Sequence, residues 1–162
     1  MFRVPVLAAA LAAFAAVTAA PLPASADDRH AGYYYPKPAS TEVYKARAKT
    51  MKDANRRQRI LFVVNVVEDM HKRPFPPGLA FFAKGAEAEK LIIVSNHDKR
   101  LNTVYRARAL LAQLTGSARA TKLFRDFAVD DLFTFLDMLK LMGFAQLTIS
   151  DGDNFAHQVT IE

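Results

Sequence analysis

The chain has no cysteine and no tryptophan, and only six glycines and four histidines among its 162 residues. Without cysteine there is no disulfide, no thiolate metal site and no thiol catalysis, so stability must come from packing. Gly32, Gly78, Gly85, Gly116, Gly143 and Gly152 stand apart from one another, so no glycine-rich loop exists to cradle a phosphate. His30, His71, His97 and His157 are scattered in the same way, without ligand spacing among themselves. No G-x-S-x-G or H-E-x-x-H motif occurs. Acidic residues are outnumbered 16 to 22 by Lys and Arg, which gives a formal net charge of +6.

Long apolar runs are confined to the beginning. Met1-Phe2-Arg3 is a short positive start, and Val6 to Ala20 is apolar and alanine-rich. At about 15 residues that run is shorter than the roughly 20 needed to cross a bilayer as a helix. Pro21 and Pro23 follow, then Ala24-Ser25-Ala26, the small-x-small pattern that signal peptidase accepts. Residues 1–26 therefore read as a signal peptide cleaved after Ala26, which places the mature chain in the periplasm or outside the cell. Losing Arg3 takes the net charge from +6 to +5. A basic exported domain suits anionic envelope components or a protein partner, and export makes nucleic acid a poor candidate.

Residues 27–40 read as an extended lead-in around Tyr33-Tyr34-Tyr35-Pro36-Lys37-Pro38, where proline forbids a helix. Residues 41–162 read as one domain. Ser40 or Thr41 can cap a helix running to about Gln58. On it Lys45, Lys49, Lys52, Arg56 and Arg59 would form one positive stripe, a candidate anion-binding face, with Arg106 and Arg108 as possible helpers. The run "RILFVVNVV", Arg59 to Val67, is apolar and β-branched, so a strand covered on both faces is expected, with Asn65 as a core polar group. "KRPFPPG", 72–78, reads as a rigid loop. Strands are expected over Leu79–Ala83 and Leu91–Val94, then a helix over Leu101–Leu114 closed by Gly116. A short helical turn follows at 117–124. A further helix is expected over Val129–Met142, with Asp130 and Asp131 in its first turn.

From Gln146 the apolar residues alternate, which predicts a C-terminal β-hairpin. A three-residue loop, Asp151-Gly152-Asp153, would pair Ile149 with Phe155 and Leu147 with His157. Asp151, Asp153 and His157 are metal-ligand residue types, but a calcium loop needs further oxygen ligands and a distal glutamate. Turn chemistry accounts for the aspartates, so neither a metal nor a cofactor is expected.

"YYYP" (33–36), "YRARALLA" (105–112) and "GFAQLTISDGDNFAH" (143–157) resemble a family of small exported bacterial proteins, over most of the mature chain. Some of its members carry the label molybdopterin-guanine dinucleotide biosynthesis protein A. That label implies a cytoplasmic enzyme using guanosine triphosphate and magnesium through an N-terminal glycine-rich loop. Here an export signal stands in that place, so no catalytic residue carries over.

The expected fold is α+β: a mostly antiparallel sheet of about five strands, two to four helices packed on one face, and a C-terminal hairpin. The expected function is non-enzymatic binding through the basic stripe. The alternative is an enzyme with Asp151, Asp153, His157 or His97 beside a cleft.

Overall fold

The computed structural model describes residues 36–97, 100–126 and 128–162. The expected signal peptide, the lead-in up to Tyr35, and Asp98 lie outside the described residues. Five strands form one sheet: β1 (Ser40–Tyr44), β2 (Leu79–Lys84), β3 (Lys90–Ser95), β4 (Gln146–Ser150) and β5 (Ala156–Ile161). Their spatial order is β1-β5-β4-β3-β2. The helices are α1 (Arg56–His71), α2 (Val104–Arg119), α3 (Lys122–Asp126) and α4 (Phe135–Leu141). The α+β class, the five strands, the helices on one face and the terminal hairpin are as expected. The sheet is mixed rather than mostly antiparallel, with β1–β5 and β3–β4 parallel and β2–β3 and β4–β5 antiparallel. The parallel β3–β4 pair requires a crossover, and α2, α3 and α4 supply it.

The main corrections lie between Thr41 and Val67. No helix covers 41–58. β1 occupies 40–44, and an irregular connection runs from Lys45 to Asn55. A helix there would have set Lys45 against Lys49 and Lys52 against Arg56, like charges one turn apart. As a strand the segment gains a full parallel ladder with β5 instead. The expected strand at 59–67 is the middle of the 16-residue helix α1. Asn55 caps it, its Oδ1 accepting from the Gln58 N–H at 3.0 Å. Arg59, Val63 and Met70 are buried, with Phe62, Val66 and Val67 half-buried beside them. That is helical spacing, and burial of the face outweighs the small helix penalty of the β-branched residues. Leu61, Val64 and Asn65 face outward, so Asn65 is not a core polar group.

Further on, α2 begins later than expected, capped by Thr103, and runs through Gly116 to Arg119. α4 is only seven residues long, so Asp130 and Asp131 precede it. Gly143 ends that region in a left-handed conformation, φ 79°, that glycine adopts without a Cβ penalty. In the hairpin Ile149 pairs with His157 and Leu147 with Val159, two residues out of the expected register. A shift of two preserves the face, so His157, Val159 and Ile161 still share the core side with Leu147 and Ile149. The core is built on Leu91, Ile93, Leu139, Phe144, Leu147, Ile149 and Val159, all essentially inaccessible.

Candidate functional site

The strand directions define two ends of the sheet. One holds the carboxyl ends of β3 and β4 with the starts of β1 and β5, and the other holds the exit of β1 beside the end of β5. The connection 45–55 leaves β1 at the second end and is held against the fold by its backbone. The N–H groups of Ala46, Arg47 and Met51 donate to Glu162 O at 2.8 Å, Asp137 Oδ1 at 2.7 Å and Leu141 O at 3.0 Å. Ala48 is buried beneath it, and the Arg47 guanidinium donates to Leu132 O at 2.7 Å. Lys45, Lys49, Lys52, Arg56 and Arg57 are exposed, and none makes a side-chain hydrogen bond or ion pair among the described residues. Asp53 is the only acid within this stretch. Of the five expected stripe residues, Lys45, Lys49 and Lys52 thus stand on irregular backbone, and Arg56 opens α1.

The fifth turns inward. Arg59 is 6 % exposed, and its guanidinium donates to Glu87 O at 2.8 Å and, from Nη1, to Met142 O and Gly143 O at 3.4 Å each. It clamps the β2–β3 turn to the end of α4 and is unavailable to a ligand. Arg106 and Arg108 lie in the first turns of α2. Arg106 donates to Asn102 Oδ1 at 2.9 Å, and Arg108 pairs with Glu42 at 2.8 Å. Of these three, Arg59 is buried, while Arg106 and Arg108 are exposed on α2.

A second cluster surrounds His157, which is 1 % exposed. Its Nδ1 shares a hydrogen bond of 2.8 Å with Ser40 Oγ. Its Nε2 lies 3.3 Å from Glu42 Oε1, within ion-pair reach but out of line for a hydrogen bond. Burial works to raise the Glu42 pKa, yet the hydrogen bond from Arg108 and the contact with His157 together hold it below the usual carboxylate value. An imidazole beside a serine hydroxyl is the beginning of a nucleophile–base pair. With the ring shut off from solvent, the contact ties edge strand β1 to β5. Alternation along β1 puts Ser40, Glu42 and Tyr44 on the core side, a period-two signal in "STEVY".

The aspartates that flank Gly152 form a turn. Asp151 Oδ1 accepts from the N–H groups of Asp153, Asn154 and Phe155 at 3.0, 3.1 and 2.8 Å. Gly152 has φ 82°. Asp153 is exposed and contacts the Asn154 side chain. His97 is exposed at the end of β3, where its backbone N–H and carbonyl both bond the Ser95 hydroxyl. Among the described residues no group of three or more His, Cys, Asp or Glu side chains comes together to hold a metal ion.

Asp137 is fully buried and was not singled out from the sequence. It accepts from the Tyr44 hydroxyl at 2.9 Å, from the Arg47 N–H at 2.7 Å and from Thr134 N–H and hydroxyl at 2.8 and 2.9 Å. Burial raises its pKa, and these hydrogen bonds overcome that and leave it lowered. Tyr44 moves the other way, raised by burial and by the neighbouring carboxylate. Thr134-x-x-Asp137 ahead of an apolar run is a capping-box signature, the signal by which Asp137 could have been found. No family model, no curated protein and no solved structure matches this chain.

Proposed function

We propose that this protein works outside the cytoplasm as a non-enzymatic binding protein, presenting the connection 45–55 and the start of α1 to an anionic envelope surface. The observation that carries this reading is the set Lys45, Lys49, Lys52 and Arg56: exposed, unpaired among the described residues, and held on a backbone pinned to the core. A cation already paired with an internal carboxylate gains little from a new anion, whereas an unpaired one contributes its full attraction. The pinned backbone adds to this, because the charges need little ordering on contact. Among the described residues no helix is long and apolar enough to cross a membrane. Contact with an envelope surface would therefore be peripheral and electrostatic in these residues.

Each Lys or Arg near an anionic bilayer contributes about 1 kcal/mol. Replacing Lys45, Lys49, Lys52 and Arg56 with Gln should then weaken binding to phosphatidylglycerol vesicles on the order of a thousandfold. Neutral phosphatidylcholine vesicles should retain neither protein. Raising salt to about 1 M, where the Debye length is near 3 Å, should release the wild type as well. Equal retention of the wild type and the fourfold variant would remove the proposal.

A further inference from the structure

Helix α1 packs on β2 and α2 packs on α4. The two helices therefore flank a groove instead of closing on each other. Its volume is about 270 Å³, and its lining includes Val66, Leu79, Phe81, Leu114, Phe135 and Met138. That size lies between the roughly 150 Å³ that accommodates benzene and the roughly 300 Å³ at which pockets for drug-sized ligands begin. A single alkyl chain or one ring fits, and a large cofactor does not. A second cleft of about 490 Å³ shares Met70, Leu79 and Phe81 with the first. Methionine is a pliable wall between the two, so a chain longer than the first groove has somewhere to continue.

The rim carries the chemical preference. Asp69 borders the groove, but its carboxylate is paired with Lys72 at 3.4 Å. Arg73 also borders it and has no ion pair or side-chain hydrogen bond among the described residues. Ser117 lies on the α2 side, exposed, with a hydroxyl free to donate. Counted together, Asp69, Lys72 and Arg73 leave this rim with one net positive charge above an apolar floor. We propose that the groove binds a free medium-chain fatty acid. The alkyl tail lies on Phe81 and Leu114, and the carboxylate meets the Arg73 guanidinium in a forked pair with Ser117 beside it. Arg73 follows the end of α1, at the opposite end of that helix from Arg56, so this site is independent of the basic connection.

Isothermal titration of the purified protein with decanoate and with decanol tests the assignment. Decanoate should bind saturably, one per chain, and about tenfold more tightly than decanol, the usual worth of a charge-assisted hydrogen bond. Arg73→Gln, a substitution at an exposed position, should bring decanoate down to the affinity of decanol and leave decanol unchanged. Val66→Phe, which fills the groove, should weaken both. Absence of decanoate binding, equal affinity for the alcohol, or indifference to Arg73→Gln would each overturn the proposal. A concentration-dependent dimer that excludes decanoate, detected by light scattering, would make a second copy the occupant and overturn it too.

Discussion

Arg56 and Arg59 stand less than one helical turn apart, and their surroundings give them different roles. Arg56 faces solvent at the start of α1, whereas Arg59 is buried and spends its donors on the carbonyls of Glu87, Met142 and Gly143. Removing the guanidinium strands those carbonyls, so Arg59→Gln should lower the free energy of urea unfolding by about 2–3 kcal/mol. Arg56→Gln should leave it within about 0.5 kcal/mol of wild type, as surface substitutions generally do. On anionic vesicles the order reverses. Arg56→Gln weakens retention, and folded Arg59→Gln binds as the wild type does. Equal loss of stability in the two variants would contradict this division of labour.

At the scale of elements, short polar contacts decide where segments begin. Asp137 caps α4 through Thr134 and also receives the Tyr44 hydroxyl and the Arg47 N–H, so one carboxylate fixes both α4 and the exit of β1. Asp137→Asn should cost about 2–4 kcal/mol at neutral pH by weakening the cap and leaving buried donors poorly matched. The native pKa of Asp137 is lowered, so its contribution is complete above the unfolded value of about 3.9. It is lost as pH falls further, through the lowered native value. Wild type and Asp137→Asn should converge in stability over that acid range, which urea titrations from pH 7 to pH 2 would show. A gap that stays constant down to pH 2 would count against it.

The same scale explains what the sequence made legible. Alternation predicted the hairpin, because strands with one core face carry a period of two, whereas β2 and β3 were legible as short apolar runs. It left the hairpin register open, since a shift of two residues buries the same face, and the five residues 151–155 gather on the Asp151 carboxylate instead of closing a three-residue loop. "RILFVVNVV" misled because seven of its nine residues are apolar, five of them β-branched, which suits a strand, while the mostly polar flanks, Asn55 to Gln58 and Glu68 to His71, complete a helix. The Lys45–Arg59 spacing of four and three fitted a helix equally well, but β1 gains a sheet ladder that a helix of repelling lysines could not match. The basic residues were therefore legible as a group, and their backbone was not. The Ser40–Glu42–His157 cluster depends on β1 lying beside β5, a pairing across more than a hundred residues that local pattern cannot reveal.

For the whole molecule, the distribution of charge matters more than its formal total of +6. On α2, Arg108 is paired with the Glu42 carboxylate, and Arg106 donates to the neutral Asn102 side chain. At the end of the sheet where β1 exits, Lys45, Lys49 and Lys52 on the connection, with Arg56 and Arg57 at the start of α1, have no such partner among the described residues. Approach to a negative surface should accordingly present that end first, and the fatty-acid groove beside Arg73 should stay uncovered. The most direct measurement is a backbone amide titration by NMR with anionic micelles at low salt. The account predicts shift changes concentrated at residues 45–57, absent with zwitterionic micelles and suppressed by salt. Changes centred on residues 102–108, or none above those seen with zwitterionic micelles, would contradict it.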